Sequence, residues 1–231
     1  MRKQFKLEPH AHTAETSRCG HIPGAEVAKR CHSLGYNSII ITDHLYEEYI
    51  SKFPFKDNWD AVMDRFLSGY KAAKEQGAEI GLNVLLGAEI RFGINDNDYL
   101  LFGIDEEFLR LNPYLNRLDP WEFFNKYGND ILIIQAHPFR NGNENVYPEC
   151  IHGVEVFNGN PRHNNFNDKA LQLCESNPQL YRLYGSDVHR DSDFGRAWML
   201  FDEPISDSRT FHAAVKQKAY SWGTPAGGIE P

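Results

Sequence analysis

Residues 8–24 read EPHAHTAETSRCGHIPG and place three histidines, His10, His12 and His21, within twelve positions. Imidazole is both a metal ligand and the side chain that titrates near neutral pH. His10 and His12 are two apart, so on a strand both point to one side. Asp187 and His189 repeat that spacing. Other apolar runs finish in the same chemistry: "YNSIIITDH" at His44, "LNVLLGAE" at Glu89 and "DILIIQAH" at His137. Neutral imidazoles with a few carboxylates, and no cysteine among them, are ligands for Zn, Fe or Mn rather than for Mg or Ca. A lone H-x-H carries little information, since ten histidines in 231 residues give roughly 0.4 such pairs by chance. Five strand ends, each carrying ligand-type residues, carry much more.

Those ends need a frame that gathers them. Short apolar runs alternate with amphipathic helical stretches along the whole chain. "QFKLEPH" reads as a first strand. "GAEVAKRCHSLG" reads as a helix with Val27, Cys31 and Leu34 on one face and Gly35 as its cap. "NWDAVMDRFLSGYKAAKEQG" predicts one long helix closed by Gly77, and Asp119-Pro120 opens another. Residues 45–58 form an aromatic-rich insertion, read either as a lid over a site or as packing, and the tail "TPAGGIEP" has turn chemistry. Strands alternating with helices predict a parallel sheet. About seven strands with no dinucleotide fingerprint favour a closed barrel, whose strand C-termini converge on one face. No repeat or linker divides the chain, so a single domain over 1–231 is expected.

In order, H-A-H (10–12), C-G-H (19–21), T-D-H (42–44), G-A-E (87–89), A-H-P (136–138) and S-D-V-H (186–189) resemble the PHP family, named for polymerase and histidinol phosphatase domains. The resemblance runs from residue 10 to residue 196. It implies an α/β fold: a distorted seven-stranded, TIM-like (β/α) barrel with two or three divalent metal ions at the C-terminal face of the strands. Carried over residue by residue, His10, His12, Glu89 and Asp187 would hold one ion. Glu89 would bridge to a second that also takes His137. His21, His44 and His189 would hold a third. Many trinuclear relatives have a further histidine after the strand that follows the bridging Glu, where this chain offers Asp105. Asp43 is expected to accept from an imidazole N–H and Glu155 to support the site, whereas Glu15 reads as a surface carboxylate.

A hydroxide held between two such ions can attack phosphorus in line. Charge neutralisation is the main task in phosphoester hydrolysis, and arginine meets phosphate with a two-toothed fork. Arg140 and Arg196 are the leading candidates for that contact, with Arg18 and Arg162 behind them. Asp187 or His189 is the candidate proton donor to the leaving group. The expected activity is hydrolysis of a small phosphomonoester. The alternatives are a phosphodiesterase acting on short oligonucleotides or nucleoside bisphosphates, an amidohydrolase, and a non-catalytic metal-bearing module. The amidohydrolase reading is weakened by the absence of a bridging lysine at a strand end.

The composition fits a small-substrate enzyme. A net charge of −8 argues against wrapping long nucleic acid. No apolar run approaches the ~20 residues of a membrane span. The four cysteines form no C-x-x-C and read as scattered core residues of a reduced, cytoplasmic protein. His32 and His212 fall on predicted helices and read as solvated or capping, whereas His152 and His163 are loop candidates for substrate contact.

Overall fold

The computed structural model describes residues 4–93, 96–225 and 227–229. Strand β1 (Phe5–Ala11) is buried from Leu7 onward and delivers His10 at its end. Helix α1 (Gly24–Ser33) follows, and its buried Val27, Ala28 and Cys31 form the expected apolar face. The Glu15 carboxylate, expected merely to be solvated, accepts from the Gly24 N–H at 2.9 and 3.1 Å and so occupies the positive end of that helix. Strand β2 (Ser38–Ile41) is wholly buried, and β3 (His44–Leu45) resumes two residues later. The aromatic insertion holds the short α2 (Glu47–Ile50).

The expected long helix is in fact two, α3 (Trp59–Phe66) and α4 (Ser68–Ile80). Gly77 does not end α4. It lies inside the helix, where a Cβ would sit 2.7 Å from the Leu82 carbonyl oxygen, and Gly81 at φ +79° provides the stop. Strands β4 (Asn83–Leu86) and β5 (Ala88–Arg91) are separated by Gly87, and β6 (Asp98–Phe102) comes next. Helix α5 (Glu106–Leu111) is capped by Asp105, and α6 (Pro120–Tyr127) by an Asp119–Glu122 capping box. The remaining elements are β7 (Leu132–Gln135), β8 (Gly153–Asn158), α7 (Asn167–Ser176), β9 (Tyr181–Gly185), β10 (Trp198–Phe201) and α8 (Ser208–Lys216). The tail, expected as turns, instead forms the hairpin of β11 (Ser221–Thr224) and β12 (Gly227–Ile229).

The closed seven-stranded barrel is not what the chain forms. Among the described residues there are two six-stranded sheets, ordered β12-β11-β10-β1-β2-β4 and β3-β5-β6-β7-β8-β9. The split occurs where Thr42–Asp43 and Gly87 interrupt two neighbouring strands. Before the break β2 pairs in parallel with β4, and after it β3 pairs in parallel with β5. A Cβ on Gly87 would lie 3.0 Å from methyl groups of Ile40 and Thr42, so any larger residue would crowd the crossing. The sheets meet again at an isolated parallel bridge between Ala11 and Val188, where His12 N–H donates to the Val188 carbonyl at 2.9 Å. Nor is the second sheet all parallel. A connection of a few residues joins β5 to β6, too short for a crossover, so β6 runs antiparallel to both β5 and β7. No helix among the described residues is long and apolar enough to cross a membrane.

Candidate metal centre

The seams between the two sheets carry the expected ligands. His10 and His12 leave β1 beside the Ala11–Val188 bridge. Asp187 and His189 leave β9 on the other side of that bridge. At the opposite seam, strand register sets His44 directly against Glu89. His137 follows β7 and approaches Glu89 Oε1 to 3.1 Å through Nε2. All seven of these side chains are buried.

Five atoms mark the centre. His10 Nε2, His12 Nε2, His44 Nδ1, Glu89 Oε2 and Asp187 Oδ1 are buried and make no hydrogen bond. Unsatisfied buried polar atoms are costly, and five of the seven among the described residues converge here. Glu89 Oε2 lies 3.6 Å from His10 Nε2 and 3.2 Å from His12 Nε2. Asp187 Oδ1 lies 3.4 and 3.3 Å from the same two nitrogens. Bonds of about 2.0–2.1 Å to a tetrahedral ion put its ligands roughly 3.3–3.4 Å apart. The spacing therefore suits a cation coordinated by all four.

The tautomers support this. His10 Nδ1 lies 2.9 Å from Glu155 Oε1, and a carboxylate can only accept, so Nδ1 carries the hydrogen. His12 Nδ1 faces Ser17 Oγ at 3.3 Å, and that hydroxyl donates to Asp43 Oδ1 at 2.6 Å. With Nδ1 carrying the hydrogen, each ring can offer its Nε2 lone pair beside the carboxylate lone pairs, an arrangement satisfied by a positive charge, whether a bound cation or a second ring proton. Asp43 thus serves an imidazole through Ser17 and not directly. It also accepts from Thr13 N–H at 2.7 Å and Thr13 Oγ1 at 2.6 Å, which fixes the loop that follows His12. Glu155 takes the supporting place expected of it and accepts from His137 N–H at 3.0 Å as well.

Electrostatics keep both carboxylates charged. Burial opposes ionisation of Glu89, but His44 and His10 hold its carboxyl well below the usual range. Asp187 is likewise buried and is held well below by Arg140 and His10. Burial disfavours charge on His10, yet Glu155, Asp187 and Glu89 hold its pKa well above the ordinary imidazole value, so a metal ion would have to displace its Nε2 proton. His12, buried beside His189 and His44, is held well below it. Two of these residues also sit on strained backbone: His137 has φ +29° and Asp187 φ +55°. Such conformations cost ~1–3 kcal/mol each and cluster at functional sites.

Not every expected residue joins the centre. His21 is solvent-exposed and stands outside all of the converging donor groups among the described residues. Its backbone N–H is tied to the His189 carbonyl at 2.8 Å. Asp105 is the N-cap of α5, 3.3 Å from Arg209. Because β6 is antiparallel, its first residue faces the centre and its last faces away, so Asp98 groups with Glu89 and His137 where Asp105 was expected. Asp98 was findable only by knowing that strand's direction.

A cavity of about 470 Å³ opens over the centre, lined by Arg140, Arg162, Arg190, His163, Tyr46 and Cys19 among others. Arg140 donates to Asp187 Oδ2 at 2.5 Å, and Asn158 and Asn165 also brace it. Arg162 is paired with Asp193 at 2.5 Å. Arg196 is exposed, bonds the Ser192 carbonyl at 2.9 Å and does not line the cavity. Arg18 is exposed with its guanidinium 5.8 Å from the Tyr49 ring centre. Arg190 takes the place expected of Arg196. The aromatic insertion contributes a fixed wall, since Tyr46 stacks on His44 with ring centres 4.3 Å apart. His152 lies elsewhere, packed against Phe124 and His212.

The model of the PHP domain family matches residues 8–199 of the chain. Among solved structures, a two-domain protein from Bacteroides vulgatus containing a predicted PHP-like metal-dependent phosphoesterase superposes with a TM-score of 0.68 at 17% identity, covering 96% of this chain. The chain spans 65% of that protein's length. PsfC from Pseudomonas syringae matches with a TM-score of 0.69 at 14% identity, covering 97% of this chain and 93% of its own. A lesion-specific endonuclease from Pyrococcus furiosus matches with a TM-score of 0.57 at 14% identity, over 93% of this chain and 56% of its own. No curated protein matches by sequence.

Proposed function

The chain belongs to the PHP domain family, and on that premise we propose that it is a metal-dependent phosphoesterase that hydrolyses small phosphomonoesters. The observation that carries this reading is the convergence of five unsatisfied buried atoms beneath an arginine-lined cavity. His10, His12, Glu89 and Asp187 would hold one divalent ion, and Glu89, His137 and Asp98 a second. Zn, Fe or Mn suits this nitrogen and oxygen donor set. Bound there, such ions supply Lewis acidity, lowering the pKa of water to about 7 and neutralising phosphoryl charge.

The chain's own residues do the rest. Arg140 is held rigidly by Asp187, Asn158 and Asn165, so it presents its remaining N–H groups to a phosphoryl oxygen without reorganising. Arg162 and Arg190 receive the outer oxygens at the rim. Asp187 is ionised, with one oxygen on Arg140 and the other in the cluster. It therefore acts as a ligand and not as the proton donor. His189, whose Nδ1 lies 3.2 Å from Asp187 Oδ1, is also assigned to ligation. Tyr46 and Tyr49 wall the cavity against bulk water.

A cavity of about 470 Å³ with Glu48 on its wall favours a small monoester over a polyanionic strand. The test is phosphate release from an aryl phosphomonoester by protein stripped with chelator and reloaded with Zn or Mn. Activity that is lost on stripping and regained on reloading is expected. Turnover of an aryl phosphodiester with none of the monoester would overturn the assignment.

A further inference from the structure

Cys31, Cys150 and Cys174 are buried among apolar neighbours, but Cys19 is exposed on the cavity wall. Its sulfur is 3.1 Å from His44 Nε2, and it lines the same cavity wall as His189. His44 and His189 offer donor atoms that, with one from His12, all lie within 4.8 Å of one another. We infer that Cys19, rather than His21, joins His44 and His189 in holding a further metal ion, through a thiolate. This rests on the metal-binding reading above.

The local fold explains the exchange. After His12 the chain turns tightly: Ser17 N–H donates to the Thr13 carbonyl at 3.0 Å and Gly20 N–H to the Ser17 carbonyl at 2.9 Å. A Cβ on Gly20 would lie 2.7 Å from the Thr13 oxygen, so the turn closes only with glycine there. The turn sends the Cys19 sulfur to the His44 imidazole and carries His21 past it, its backbone tied to His189. Bonds of about 2.3 Å to sulfur and 2.0–2.1 Å to nitrogen set S and N roughly 3.6 Å apart at a tetrahedral ion. The observed 3.1 Å needs only a small opening. Ligation releases the thiol proton to solvent and requires both imidazoles to be neutral. Three protein donors match catalytic zinc sites, which keep a fourth position open. A thiolate among them favours zinc over manganese.

The test is cobalt loading of the metal-free full-length protein, read by absorption and by metal content. Wild type is expected to show a near-ultraviolet thiolate-to-cobalt charge-transfer band. Cys19→Ser is expected to lose that band and one metal equivalent while keeping the others. Cys19→His is expected to regain the equivalent without the band, and His21→Ala to keep both. Wild type that binds cobalt without the band, or Cys19→Ser with full metal content, would overturn the thiolate site alone. Wild type that binds no cobalt would overturn the whole metal reading.

Discussion

Two groups of partly or fully enclosed histidines occupy opposite ends of the strands, and they behave differently. At the C-terminal end of β1, His10 and His12 have their outer nitrogens anchored and their inner nitrogens unsatisfied. Just before β8, His152 accepts the Ile133 N–H through Nδ1 at 3.1 Å and packs on Phe124. Neither of its ring nitrogens is a buried atom left without a partner. Burial and nearby His212 push its pKa down to about 4, so it is simply kept neutral. Histidine content therefore does not mark a metal centre. What marks one is a set of lone pairs aimed at one another.

The contrast can be broken most forcefully at the carboxylates. Glu89→Gln or Asp187→Asn should lower turnover by about 10³-fold or more, because charge stabilisation in the transition state goes with the ion. Metal analysis of the same preparations should show the ion missing, whereas His152→Gln should keep both metal and activity. A milder break lies at the arginines. Arg140→Ala should cost about 10²-fold in kcat/KM, equal to about 2.7 kcal/mol. Arg140→Lys should recover little of this, since lysine lacks the fork. Arg196→Ala should leave steady-state kinetics within about twofold.

Support for the ligands is the next level down. Glu155→Gln weakens the acceptor that fixes His10, and metal titration should show affinity falling about 10–100-fold. The smallest effect belongs to His152. A group whose folded pKa is depressed contributes stability above its unfolded value, 6.5, which is lost as pH falls through about 4. Urea midpoints of wild type should therefore fall more steeply from pH 6.5 to 4 than those of His152→Gln. Parallel curves would show that His152 is not held neutral.

Much of the centre was legible because strand ends concentrate ligand-type residues, and apolar runs announce strands. His10, His12, His44, Glu89, His137, Asp187 and His189 all lie where that pattern put them. What was not legible depended on backbone direction. Asp98 was hidden because antiparallel β6 reverses which end faces the cavity. Cys19 and His21 are two apart in a loop whose turn is fixed by Thr13, Ser17 and Asp43, contacts no spacing rule encodes. The two-sheet split likewise depends on Gly87, which reads in sequence as an ordinary strand residue.

The most direct test is anomalous diffraction from crystals of the protein grown in saturating zinc. A peak within about 2.0–2.2 Å of His10 Nε2, His12 Nε2, Glu89 Oε2 and Asp187 Oδ1 is the expected result. Zinc-saturated crystals with no anomalous signal among those four atoms would contradict it.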